Sequence, residues 1–241
     1  MRKVFIVIAV LTIFVLTGLC YAQGGARALF VDEDAKISSS LPPKDAEPNI
    51  KKAEPAVKYM GLSYQIFEVR TDGKQRLVTK KKIFKSGDRI RIAVKSNRSG
   101  YMTVLNVGPT GDITTLLKDK VEPYNSVNVP SKGTLRFSGP SGVETVVVML
   151  SKKPYEGNEA VMYSDCAKIA SSETRNLIVE DSMDNQYSVL SAGSGCKRVP
   201  SATRNLVVES SEGSHYGVLP NTVLDSDSVM VLNIKIQHRS K

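Results

Sequence analysis

His215 and His238 are the residues of this chain best suited to acid–base or metal chemistry, and neither has a second His or a Cys at ligand spacing. A zinc site therefore has no support, and both histidines read as surface residues. Nucleophile candidates are equally weak. Ser141 and Ser194 stand beside glycines, but residues 139–142 read Gly-Pro-Ser-Gly and residues 193–196 read Gly-Ser-Gly-Cys. Neither forms the Gly-x-Ser-x-Gly elbow that lifts a hydroxyl above a strand-to-helix turn. Asp225 and Asp227 offer two carboxylates to calcium without visible further ligands, and a solvated turn is the simpler reading. No glycine-rich loop opens a helix to cradle phosphate. No catalytic residue, metal ligand or cofactor is expected.

What remains is charge. The chain carries 33 Lys and Arg against 24 Asp and Glu, a formal +9, and the excess is concentrated. Residues 58–155 hold 18 basic and 7 acidic side chains, whereas 23–57 hold 5 and 6, and 156–241 hold 8 and 11. Lys80, Lys82, Arg89, Arg91, Lys95 and Arg98 lie in its densest part. They would share one face if the strand after Gly87 paired with the segment holding Lys80 to Lys82. A field of one sign attracts anionic glycans, anionic lipid headgroups at a membrane surface, or an acidic protein. Nucleic acid would suit the charge, but stacking aromatics are sparse and the N-terminus points to export. The alternative is that these side chains merely blunt an exposed sheet edge.

Arg2 and Lys3 precede an apolar run over residues 4–19, and small residues at positions 20 and 22 suit cleavage after Ala22. Residues 1–22 are thus expected to be a signal peptide of a bacterial protein exported to the periplasm or cell envelope. An uncleaved anchor is the alternative, because residues 4–22 barely reach across a bilayer. Cleavage would leave two cysteines, Cys166 and Cys196. In an oxidising compartment the pair reads as a disulfide, with two buried free thiols as the alternative. Residues 23–57, with Pro42, Pro43, Pro48 and Pro55 and no sustained apolar period, read as a flexible linker arm. Within it Leu29, Phe30 and Val31 form an apolar island. That island either pairs with a partner's sheet edge or orders on its own domain.

Strands must position these groups. In residues 88–95, Ile90, Ile92 and Val94 alternate with Arg89, Arg91 and Lys95, the two-residue period of a half-buried strand. Residues 62–69, 101–107, 113–117, 134–137, 143–150 and 229–237 read alike. Asp72-Gly73, Ser86-Gly87, Ser99-Gly100, Thr110-Gly111, Lys132-Gly133 and Ser141-Gly142 punctuate them. Such spacing predicts an all-β fold, an antiparallel sandwich of immunoglobulin-like or jelly-roll type. With 41% hydrophobic residues in 241, the chain can bury a core without metals. Wholesale disorder is excluded, as is a polytopic membrane protein, since apolar runs beyond residue 22 are short. Only residues 156–170 have near-helical spacing, through Val161, Met162, Cys166 and Ile169, so one short helix is expected there.

The C-terminal third is internally duplicated. Ser172-Glu-Thr-Arg-Asn-Leu-Ile-Val-Glu180 matches Ser201-Ala-Thr-Arg-Asn-Leu-Val-Val-Glu209, and Tyr187-Ser-Val-Leu190 matches Tyr216-Gly-Val-Leu219 at the same offset. Each copy reads as strand, polar turn, strand, giving two related hairpins stapled near their entrances by the cysteines. Residues 58–155 would form the basic core, and 156–241 would complete the same domain.

The segment running from Phe84-Lys-Ser-Gly-Asp88 to Gly100-Tyr-Met-Thr-Val-Leu-Asn-Val107, followed by Gly111-Asp-Ile-Thr-Thr-Leu-Leu117, resembles the bacterial domain of unknown function numbered 4384. Val129-Pro-Ser-Lys-Gly133, Phe137-Ser-Gly-Pro-Ser-Gly-Val-Glu144 and Leu150-Ser-Lys-Lys-Pro154 continue the pattern in order. The resemblance implies a β-sandwich module of envelope and multidomain signalling proteins, with no established activity and no catalytic residue to carry over. The duplicated hairpins lie outside it. The expectation is a non-enzymatic exported interaction module acting through its basic face and arm on an envelope protein or acidic polymer. Binding of anionic glycan or lipid headgroups, and an unrecognised hydrolase, are the alternatives.

Overall fold

The computed structural model describes residues 26–30, 58–79, 81–154, 187–191, 197–198, 207–211, 213–221 and 226–240. Residues 1–22 and 156–170, Lys80, Val31, Cys166 and Cys196 lie outside the described residues. Within them the chain is an all-β sandwich of two seven-stranded sheets, as its alternating pattern predicts.

The first sheet contains β1 (Tyr59–Val69), β2 (Gln75–Val78), β4 (Arg89–Ser96), β7 (Ser126–Val129), β8 (Leu135–Arg136), β12 (Val207–Ser211) and β13 (Ser214–Pro220). Its main order is β12-β13-β1-β4-β7, with β2 added to β1 and β8 to β4. The eleven-residue β1 is long enough to share one edge, its first half pairing with β13 and its last four residues with β2. The second sheet contains β3 (Ile83–Lys85), β5 (Gly100–Val107), β6 (Ile113–Val121), β9 (Gly142–Ser151), β10 (Tyr187–Ser191), β11 (Lys197–Arg198) and β14 (Ser228–Arg239). It runs β11-β10-β14-β9-β5-β6, and β3 joins the end of β14 in parallel. That one pairing makes the second sheet mixed, where a purely antiparallel one was expected.

Alternation fixes which residues face inward. Along β4, Ile90, Ile92 and Val94 are 0–1% exposed while Arg89, Arg91 and Lys95 look the other way. They meet Leu62, Tyr64 and Ile66 of β1 and, from the second sheet, Met102, Val104, Val148, Leu150, Leu232 and Ile234 in one continuous core. Each fully buried aliphatic side chain of this kind contributes roughly 1.5–3 kcal/mol. One end of the sandwich is closed by rings. Phe84 stacks on Phe137 with centroids 4.9 Å apart, and His238 lies 5.3 Å from Phe137. Gly87, at φ 95°, turns the chain beneath them and donates its N–H to the Phe137 carbonyl.

The two copies of the duplicated segment contribute to different sheets. Tyr187–Leu190 belongs to β10 in the second sheet, whereas its equivalent, Tyr216–Leu219, belongs to β13 in the first. Of the four segments, the first copy's Ser172–Glu180 lies outside the described residues, while β12 and β13 of the second copy do form an antiparallel hairpin. Leu29 and Phe30 of the arm's apolar island lie in a 3-10 turn, Ala26–Phe30, ordered on the chain's own sheet, the second of its two expected placements. Its Ala26, Leu29 and Phe30 are buried against Val218, Tyr59 and Tyr216, on the outer side of the first sheet.

Candidate functional site: the basic face of the first sheet

The pairing that was to unite the six basic residues does not form. The β1–β2 hairpin returns along the edge of β1 opposite to β4, so β1 itself separates β4 from the segment that follows β2. β4 pairs instead with β1, β7 and β8. Lys82 therefore turns to Glu68 of β1, forming an ion pair and hydrogen bond, and covers the Phe84 ring at 5.1 Å. Arg76 adds a second pair to Glu68 at 2.9 Å. The Lys82 ammonium, and after it Arg76, holds the Glu68 carboxyl below its ordinary 4.5, against the opposing effect of burial. Arg98 is likewise engaged structurally: its Nε donates to the Tyr59 carbonyl at 3.2 Å. Beside it Asn97 donates to the same carbonyl and accepts from the Gly61 N–H at 2.8 Å, tying the turn after β4 to the start of β1.

Arg89, Arg91 and Lys95 remain on one outward row, as their alternation predicts. Arg91 Nη2 donates to the Gly133 carbonyl at 2.7 Å, while its Nε is buried without a partner. Sequence reasoning missed two members of this face. Arg136 of β8 sits directly opposite Arg89, and Arg27 of the arm reaches Ser211 at 3.3 Å above the same sheet. Residues 134–137 read as a strand, but its pairing beside β4 is not local information, and Arg27 stands in a compositionally plain linker. Like charges directly opposite on neighbouring strands cost roughly 0.2–1 kcal/mol unless an anion lies between them. Among the described residues no carboxylate pairs with Arg89, Lys95 or Arg136.

Both histidines are inside the protein, which corrects their reading as surface residues. His215 is 5% exposed, stacks on Tyr64 at 4.7 Å and lies 3.0 Å from Ser210 Oγ through Nδ1. His238 is 2% exposed, with Nε2 3.0 Å from Ser86 Oγ and Nδ1 unpartnered. The periodicity of β14 put His238 on the inner row with Ile234 and Ile236, so this signal was available. Each ring has a serine hydroxyl within hydrogen-bond distance, and both rings pack against aromatic side chains.

A cleft of about 310 Å³ opens between the sheets beside Phe137. Its floor is apolar, from Ile90, Leu135, Val146 and Ile236, and its mouth mixes Asp112 and Glu144 with Arg136. Glu144 accepts from Asn106 at 3.0 Å and Asp112 from Thr110 at 2.6 Å. Neither carboxylate forms an ion pair with Arg136 among the described residues. Among the described residues no group of three or more His, Cys, Asp or Glu side chains is placed to hold a metal, and no helix is long and apolar enough to cross a membrane.

Residues 83–154 match a family described as Domain of unknown function (DUF4384). No curated protein and no solved structure matches the chain.

Proposed function

We propose that this chain, which carries a DUF4384 domain over residues 83–154, is a non-enzymatic exported module that docks on an acidic partner of the cell envelope through the outer face of its first sheet. The observation that carries the reading is the direct opposition of Arg89 and Arg136, with Arg91 two residues along the same strand and no carboxylate among the described residues to neutralise them. Two-residue spacing on a strand separates like-facing side chains by roughly 6.5–7 Å. A linear polyanion, an acidic polysaccharide foremost, presents charges in a comparable row and would relieve the repulsion. An acidic protein face is the runner-up. The arm's role is inward in this reading: Leu29 and Phe30 are 3% and 5% exposed against the chain's own sheet.

Export rests on the N-terminal pattern, and with it goes a Cys166–Cys196 disulfide. Identical thermal melting with and without reductant would remove the disulfide. Replacing Arg89, Arg91 and Arg136 together by Ser tests the docking face. Retention on envelope fractions is expected to fall, and unchanged retention would contradict the proposal.

A further inference from the structure

The outer face of the second sheet carries a basic patch of its own, at the end where β3 joins β14, and apolar side chains stand within it. Its rows follow from the registers. Ile83 of β3, Gln237 of β14 and Val143 of β9 stand side by side. The next outward row is Lys235, Thr145 and Val107, across β14, β9 and β5. At the rim Lys85 lies beside Arg239. Their alternates Phe84, Val146, Ile234 and Ile236 are in the core, which turns these rows outward. No acidic residue stands in them.

Two properties set the patch apart. Among the described residues the large apolar side chains left exposed are Leu77, Ile83 and Val143. Ile83 and Val143, 39% and 43% exposed, flank Gln237 and so lie two strand spacings, roughly 10 Å, apart. The second property is charge. Lys85, Lys235 and Arg239 are exposed, and none of them forms an ion pair among the described residues. Asp88, in the turn after β3, accepts the Lys85 backbone N–H at 2.9 Å and leaves the ammonium unpaired. Like charges side by side, as Lys85 and Arg239 are, repel one another and favour an anion between them.

This combination selects among anionic partners. A polysaccharide would meet the cations but leave Ile83 and Val143 in water. A protein interface centres on aromatic and Arg side chains with Lys depleted, and these rows hold two lysines and no aromatic ring. A bilayer with anionic headgroups offers both phases at once. Aliphatic groups enter the acyl boundary, while ammonium and guanidinium groups stay at the lipid phosphates.

We propose that this end of the second sheet seats the protein on an anionic lipid surface, with Ile83 and Val143 entering the headgroup layer and Lys85, Lys235 and Arg239 on the phosphates. The seat is independent of Arg89, Arg91 and Arg136, which lie on the outer face of the opposite sheet. The molecule then holds a membrane on one side and presents its other basic face to a second partner.

Acylation of lysines by an amine-reactive reagent, read by mass spectrometry on the full chain with and without vesicles, tests this at the residues themselves. Vesicles of mixed phosphatidylglycerol and phosphatidylcholine are expected to slow labelling of Lys85 and Lys235 several-fold, while Lys95 on the opposite sheet keeps its rate and phosphatidylcholine alone protects neither. Ile83→Thr with Val143→Thr, which keep β-branching, should remove the protection at unchanged thermal melting. Arg239→Gln should weaken it roughly fivefold, the share of one cation at an anionic surface. Equal protection by phosphatidylcholine, protection of Lys95 in place of Lys85 and Lys235, or protection that survives in the Ile83 and Val143 variant would overturn the proposal. No protection on anionic vesicles would overturn it too and leave the patch to an acidic protein.

Discussion

The ring of Phe30 lies on Gly61: a methyl group added at Gly61 would come within 3.2 Å of Phe30 Cζ, 2.8 Å of the Gly217 carbonyl oxygen and 2.5 Å of Val218 Cγ1. The absence of a side chain at this one position of β1 lets the arm dock and β13 pair closely. Gly61→Ala should therefore destabilise the fold by about 1–3 kcal/mol, the cost of overpacking a close contact. Phe30→Ala should cost about 2 kcal/mol through lost burial. It should also speed proteolytic cleavage near residue 27. Unchanged melting and cleavage in both variants would mean that the arm does not dock here.

Glu68 supplies a pH dependence with a definite sign. Lys82, then Arg76, holds its carboxyl below 4.5 in the folded chain. A depressed folded-state value gives stability that is present above the unfolded pKa and is lost as pH falls through the folded one. Glu68→Gln should thus lower stability at pH 7 by up to about 1 kcal/mol per lost pair and narrow its difference from the wild type below pH 4.5. Melting temperatures at pH 7 and pH 3 check this, and an equal deficit at both would contradict it.

Among the described residues Ser86 Oγ is the hydrogen-bond partner of the His238 ring, with Nδ1 unsatisfied. Ser86→Ala leaves the imidazole with no described partner and should cost about 1–3 kcal/mol. Denaturant titration reads this as a lower midpoint at unchanged slope. No loss of stability would show that the hydroxyl does not hold the ring.

These sites mark what the amino-acid sequence makes legible. The alternation in β4 told which side of Ile90, Ile92 and Val94 was core and that Arg89, Arg91 and Lys95 pointed away, because period and burial are the same fact in a strand. Which strands are neighbours is not local information. Pairing of Lys82 with Glu68, of Arg89 with Arg136, and of β3 with β14 follows from the edge on which each hairpin returns. The burial of His238 was readable from its place in the β14 alternation, whereas the patch on the second sheet required Ile83 and Val143 to be brought to either side of Gln237. The repeated Tyr187 and Tyr216 segments announced kinship but not that they would occupy different sheets.

The central claim is that Arg89, Arg91 and Arg136 form an anion-docking face. The most direct measurement is the affinity of the full chain for an acidic polysaccharide as a function of salt, in the wild type and in the Arg89→Ser, Arg91→Ser, Arg136→Ser triple variant. By analogy with other polyanions, three such contacts predict a loss of order tenfold in wild-type affinity between about 50 and 200 mM salt. The triple variant should bind weakly at both concentrations with a flattened dependence and an unchanged fold. Equal affinity and equal salt slope in the two proteins would contradict the account.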